Sequence, residues 1–390
     1  MNADVSANDA VAIVATMDTK RAEVLFLSNV IEGAGRKVLL VDVGTSGSSS
    51  KRSRDPASLL RSIAQNTRIV VREMYEAGKI SAIVGVAGGK GSGLFGEIVS
   101  DLPYGFPKLL VSSARPALLA ELAKTNDILL YPTLVDLFGV NGFTARILTN
   151  AGQAIAGMRY SSNKDARRSV VAISAFGVTT PAVDQCVRLL SDQDIEAIVF
   201  PANGAGGRKM EALIEDGEFD AVIDLTTTEL ADELLEGTAS AGSERLKAAG
   251  RRGIPQLIAP GAVDMVNFGP RDTVPQKYSG RNLYRHTQFT TLMRTNAEEN
   301  ERIGRIAADR LAGAKGPTAV LFPLHGVSDY DREGGVFFDR EADVAWLKGL
   351  RSGLPTQVEV SELQCHINDP AFADTAVGWI VNRLREERPE

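Results

Sequence analysis

Glycine, lysine and serine crowd together in Gly88-Gly-Lys-Gly-Ser-Gly93, between an apolar run and a helix-forming one. That combination suits phosphate binding. Glycines let the backbone approach an anion closely and reach φ > 0, so that successive N–H groups form an anion nest. Lys90 adds a cation and Ser92 a hydroxyl donor, so Gly88, Gly89, Lys90, Gly91, Ser92 and Gly93 are all candidate ligands of a phosphate. Gly91-Ser-Gly93-Leu-Phe-Gly96 fits GxGxxG, yet the residue about 20 positions on is Ser113 and not the acid that holds a ribose in dinucleotide folds. It is no P-loop either, because Gly91 stands where serine or threonine would hold magnesium.

A second polar turn, Thr16-Met-Asp18-Thr19-Lys20, follows the apolar run Val11 to Ala15. Lys20 would neutralise phosphate charge and Asp18 would hold magnesium or a ribose; Asp18 or Thr19 would equally cap a helix. The next apolar run ends at Gly44, which joins Thr16, Asp18, Thr19 and Lys20 as candidate cofactor ligands. The same pattern returns 160 residues later, Val171 answering Val11 and Gly204 answering Gly44. There Gly177-Val-Thr179-Thr180-Pro181 takes the place of the first turn, with Thr180 as cap and Pro181 in the first helical turn, where its missing N–H costs nothing. Asn203-Gly204-Ala-Gly206-Gly207-Arg208 makes another glycine turn, with Arg208 as a fork donor, and Asp224-Leu-Thr226-Thr227-Thr228 ends a further strand. Together with Arg294 these are candidate ligands of a second, small anion. His286 and His325 are candidate general bases, since an unperturbed imidazole titrates near neutrality. The three histidines share no HxH or HExxH spacing, so no histidine-ligated metal site is expected.

Apolar β-branched strands alternating with helices of ten or more residues imply parallel sheets with right-handed crossovers. The expected fold is therefore α/β, as two Rossmann-like, doubly wound subdomains with mostly parallel sheets. A helix is expected over about 20–33, a loop over Ser46 to Asp55, a helix over 56–78, a strand over 80–87 and another over 107–113. The polar stretch Ser161 to Arg168 reads as the boundary, giving subdomains 1–168 and 169–390. In the second half, strands are expected near 170–175, 196–201, 220–225, 255–259, 318–322 and 356–361, with helices near 297–313, 339–352 and 370–386. Ala262 to Arg294 reads as a long irregular segment, of the kind that serves function or an interface.

At 390 residues the chain holds two domains of roughly 150 to 220 residues. A net charge of −6 argues against non-specific nucleic-acid binding, which needs a basic field. No run of about 18 apolar residues exists and Met1 to Asp9 is polar, so neither membrane insertion nor export is expected and the cytoplasm is the default. Two cysteines without CxxC spacing fit a reducing compartment.

Seven strings in order resemble a largely uncharacterised family that includes the N-terminal ATP-binding domain of the tomato mosaic virus resistance protein. They are Thr16-Met-Asp-Thr-Lys20, Phe176-Gly-Val-Thr-Thr-Pro181, Gly206-Gly-Arg-Lys-Met-Glu211, Asp224 to Asp232, Pro260-Gly-Ala-Val-Asp-Met265, Leu292-Met-Arg-Thr295 and His366-Ile-Asn-Asp-Pro370. The resemblance implies a homodimer of two-subdomain chains with ATP at the first glycine run. The chain departs from the family pattern at Pro201, Ala205 and Thr287, where relatives carry histidine, threonine and asparagine. The expectation is thus an ATP-binding protein, with magnesium at Asp18 and a second anion in the interlobe cleft. Two alternatives stand beside it. One is a metabolic enzyme for a keto or hydroxy acid or an acyl phosphate, with Arg208 and Arg294 on the carboxylate and His286 as base. The other is a regulatory module that docks through 262–294.

Overall fold

The computed structural model describes residues 9–44, 56–160 and 168–386. The expected loop at 46–55 and most of the boundary stretch 161–168 lie outside them. Contacts divide the chain into Met1–Lys164 and Asp165–Glu390, a few residues before the boundary expected at 168.

The first unit runs β1 (Ala10–Ala15), α1 (Met17–Gly33), β2 (Lys37–Asp42), α2 (Pro56–Glu76), β3 (Ile80–Ala87), α3 (Gly89–Ile98), β4 (Lys108–Ser112), α4 (Pro116–Thr125), β5 (Leu129–Pro132) and α5 (Gly142–Gly157). Its five strands are all parallel in the order β2-β1-β3-β4-β5. β1 reads as an unbroken apolar run, and β3 as one interrupted only by Ser81, because both faces of the sheet are covered. Val24, Leu27 and Ile31 of α1 and Leu148, Ala151 and Ile155 of α5 cover one face. α2, α3 and α4 cover the other through Val71, Phe95, Ile98 and Leu122. Gly152 lets α5 close on α1, since a Cβ there would meet Val30 Cγ1 at 2.6 Å. Helix α1 starts at Met17, three residues before the sequence expectation, and kinks at Lys20 (φ −122°, ψ 17°).

The second unit runs β6 (Val170–Ala175), α6 (Thr180–Ser191), β7 (Glu196–Pro201), α7 (Ala205–Glu215), β8 (Ala221–Thr226), α8 (Glu229–Leu235), α9 (Ala248–Arg252) and β9 (Gln256–Gly261). Then come β10 (Met265–Phe268), β11 (Leu283–Arg285), β12 (Thr291–Arg294), α10 (Ala297–Leu311), β13 (Thr318–Pro323), α11 (Arg340–Gly353), β14 (Glu359–Leu363) and α12 (Pro370–Glu386). Six parallel strands lie in the order β14-β13-β9-β8-β6-β7. The segment read as irregular, 262–294, instead folds into a three-stranded antiparallel sheet, β10-β12-β11. Its strands are only three or four residues long, too short to show the alternation by which a strand is recognised.

Candidate functional site

In both sheets the strand order reverses beside the first strand, and in open α/β sheets ligands bind outside the carboxyl ends of the strands at that reversal. In the first unit the reversal lies between β1 and β3. A cavity of 530 Å³ opens there, lined by Thr16, Asp18, Thr19 and Lys20 from one turn and by Gly88, Gly89, Lys90 and Gly91 from the other. Two turns some 70 residues apart thus converge because β1 and β3 are neighbours.

The glycine run is not the expected nest. Gly88 is extended (φ −88°, ψ −165°) and α3 begins at Gly89, so no glycine from 88 to 93 has a positive φ. What faces the cavity is a helix N-terminus, whose first amides lack intrahelical acceptors and attract anions. The first intrahelical bond here is Ser92 N–H to Gly88 O at 2.9 Å. Among the described residues nothing accepts from the amides of Gly89, Lys90 or Gly91. A Cβ on Gly89 would meet nothing within 4 Å, whereas one on Gly91 would press on Ala87 Cβ at 2.9 Å. Lys90 is exposed and has no partner among the described residues.

Ser92 is corrected as a phosphate donor. It is fully buried, donates to Gly88 O at 2.8 Å and pairs with Ser112 Oγ at 2.7 Å, which pins α3 to β4. Gly93 likewise does not line the cavity. Lys20 does, but its ammonium is held by the Leu137 carbonyl and lies 3.8 Å from Glu23 Oε1, which reduces the charge it presents. Thr16 Oγ1 and Thr19 Oγ1 pair at 2.8 Å. The cap of α1 comes from neither Asp18 nor Thr19: Asp42 Oδ1 accepts from Met17 N at 3.0 Å and from Gly44 N at 2.8 Å. A Cβ on Gly44 would sit 3.3 Å from Asp18 Cγ, so this glycine leaves room for the Asp18 carboxylate.

The second unit's reversal, between β6 and β8, is built differently. Thr179 Oγ1 and Thr226 Oγ1 bond each other at 2.8 Å, and Ser174 Oγ donates to Asp224 Oδ1 at 2.6 Å. Thr227 donates to Ala259 O at 2.9 Å and Thr228 to Met265 O at 3.4 Å; all three threonines of 226–228 are fully buried. Asp224 is taken by Arg245, whose side chain is 0% exposed and also meets Glu229 and Glu211. Burial alone would lower the Arg245 pKa, but these carboxylates hold it well above the ordinary value. Glu211 shifts upward through burial, against the pull of Arg245, and its oxygens accept from Leu246, Lys247 and Ala248.

The glycine turn after β7 already carries an anion of its own. Glu229 Oε1 accepts from Gly204 N at 2.7 Å, at a residue with φ +85° that demands glycine. A Cβ on Gly207 would lie 2.2 Å from Glu229 Oε2 and one on Gly206 2.0 Å from Pro201 O. Arg208 turns away to Ser240 O at 2.7 Å. Thr180 makes no cap; its hydroxyl reaches Phe176 O at 3.4 Å, and Asn368 Oδ1 accepts from Ala182 N at 3.3 Å in its stead. Arg294 is committed inside the fold, to Phe337 O at 2.6 Å and Asp343 Oδ1 at 2.7 Å, beside Asp331 at 3.7 Å.

The two histidines remain apart. His286 is exposed after β11, with Nδ1 2.8 Å from the Tyr330 hydroxyl. His325 is exposed just past β13, where its backbone bonds Cys365 O and Arg340. Sequence reading missed three residues: Asp42, Asp136 and Arg245. Asp136, in the β5–α5 connection, accepts from Ser113 Oγ at 2.9 Å, which sets a carboxylate beside position 113. Nothing local in the sequence marks a hydrogen bond across 23 positions.

These features define a protein of two Rossmann-like subdomains, one with an open helix terminus at its strand reversal and one with that region internally bonded. The chain belongs to the uncharacterised protein family UPF0261: the N-terminal domain of that family matches residues 9–58 and 48–164, and its C-terminal domain residues 168–384. A UPF0261 protein of Clostridium tetani is 34% identical over 97% of this chain and its own full length. One from Rhizobium meliloti is 36% identical over 94% of this chain and 96% of its own. The ToMV resistance protein Tm-1 of Solanum lycopersicum is 35% identical over 76% of this chain, which matches 41% of that longer protein. No described helix is long and apolar enough to cross a membrane.

Proposed function

We propose that the first unit binds ATP through its phosphates at the β1/β3 reversal. One observation carries this reading: eight residues from two distant turns line one cavity, at the end of a helix whose first amides have no acceptor among the described residues. Amides of Gly89, Lys90 and Gly91 hold phosphate oxygens, the Lys90 ammonium neutralises them, and Asp18 shares a magnesium ion with them. Lys20 acts as a partly neutralised wall of the cavity. The ATP-binding domain in the family that the sequence resembles supports the choice of nucleotide, and supports a homodimer. Two buried free cysteines fit the cytoplasm.

A second anion at the Gly204–Arg208 turn is disfavoured, because Glu229 already occupies the Gly204 amide. The reading as an acid-transforming enzyme loses its carboxylate clamp for a similar reason, since Arg294 and Arg208 are engaged elsewhere. Gly89→Asp tests the phosphate site. Its side chain would enter open space, so the fold should keep its melting temperature while a carboxylate faces the phosphates. Calorimetric titration should show ATP affinity falling by about a hundredfold, a loss of about 3 kcal/mol, as expected for a charged contact inverted. Equal affinity in both proteins would reject the site.

A further inference from the structure

Beside the phosphate crevice, over the tips of β4 and β5, lies a second hollow of 720 Å³. Its walls are largely apolar, with Leu119, Ala123, Leu130, Pro132, Leu134 and Val135 among them. Strand register ties the two cavities together. Ala87, in the first, pairs with Ser112, in the second, and Ser112 pairs with Pro132. Ser113 N donates to Ala87 O at 3.2 Å, and a Cβ on Gly88 would lie 3.8 Å from Ser113 Oγ. The tips of β1, β3, β4 and β5 therefore form one line, roughly 14 Å long at the usual strand spacing.

Two observations point to an occupant. Asp136 sits at the junction and is exposed; its Oδ1 accepts from Ser113 Oγ at 2.9 Å and from Leu137 N at 2.8 Å, leaving Oδ2 with no partner among the described residues. That fixed carboxylate, one strand on from the phosphate-binding helix, matches the acid that accepts from ribose hydroxyls in nucleotide folds. Leu134, on the hollow's rim, has a left-handed backbone (φ +59°) and a side chain 96% exposed. A leucine in that conformation, presenting its whole surface to water, is a costly arrangement of the kind that collects at ligand clamps.

We propose that Asp136 binds the ribose diol of the nucleotide and that the apolar hollow under Leu134 takes its base. This assignment rests on the phosphate reading above and adds selectivity to it. The crevice by itself would accept any polyphosphate; the line of strand tips selects a ribonucleoside triphosphate.

Calorimetry on the full chain with ATP, 2′,3′-dideoxy-ATP and inorganic tripolyphosphate separates the two. Wild type should prefer ATP to the dideoxy form by about tenfold or more, the worth of a hydrogen bond to a charged group. Asp136→Asn keeps the acceptor for Ser113 and Leu137 but should erase that preference, while tripolyphosphate, relieved of a nearby negative charge, binds no more weakly than to wild type. Ala123→Trp, at an exposed position on α4, should fill the hollow and bring ATP down to the level of tripolyphosphate. A ribose preference that persists in Asp136→Asn, or ATP binding unchanged by Ala123→Trp, overturns the proposal. Tripolyphosphate binding that ignores Gly89→Asp would instead overturn the phosphate site beneath it.

Discussion

Arg245→Met should cost the second unit about 3–5 kcal/mol, the usual penalty for breaking a buried charge network from one side. For a unit of this size that lowers the melting temperature by about 6–20 °C. The reason lies in what the guanidinium serves at once. Its Nη2 donates to Asp224 Oδ1 at 2.6 Å, its Nε meets Glu229 and its Nη1 reaches Glu211 Oε1 at 3.2 Å, all in a fully buried setting. Without it three carboxylates face one another out of water. Their folded-state pKa values then rise above the unfolded ones, so the fold is penalised where the unfolded chain is ionised and relieved where both states are protonated. The deficit should accordingly be largest near about pH 8 and shrink toward about pH 4. Denaturant titrations across that range decide it; a deficit independent of pH would mean that Met fails by packing and not by charge.

The other large effect concerns pH in the unmodified protein. Asp264 and Asp343 are both pushed above the ordinary carboxylate range, first by burial and then by Asp331, while Arg294 pulls the other way. Arg340 Nη1 lies 3.0 Å from Asp331 Oδ2 and also bonds Asp343, and Ser328 Oγ donates to Asp264 Oδ2 at 2.8 Å. His366 packs alongside, its Nε2 2.9 Å from Ser328 O, with its pKa lowered chiefly by burial. Three carboxylates and two guanidiniums leave one negative charge, and burial favours holding a proton there. A raised carboxylate pKa means that the fold keeps a proton the unfolded chain releases, so stability is greatest on the acid side and falls as pH rises through the folded value. Between about pH 5 and about pH 8 the second unit should lose on the order of 1–3 kcal/mol, read as a drop of about 2–12 °C in melting temperature. Asp264→Asn, which keeps the acceptor for Ser328, should flatten that slope. An equal slope in both proteins would place the proton elsewhere.

Much of the architecture is legible in the sequence because buried parallel strands announce themselves as nearly continuous apolar runs rich in valine and isoleucine, as at Ile80 to Ala87. The short strands of 262–294 escape notice because three or four residues carry no periodicity. At the candidate site, residue type identifies the two converging turns but not what their atoms do. Ser92 resembles a phosphate donor until Ser112 is brought against it, and Asp224 resembles a ligand until Arg245 is. Such partners are tertiary. Asp136 illustrates the same limit in reverse: an unremarked acid in a connection acquires meaning only when β4 and β5 place it beside Ser113.

The carboxylate that meets the Gly204 amide also belongs to the polypeptide, so its local concentration is set by the fold and not by the surrounding solution. Dilution, dialysis or competition cannot remove it. Of two halves written in one repeating pattern, the later one thus carries a tethered counterion for life. At that turn the fold itself supplies the acceptor that the Gly204 amide would otherwise seek from solution.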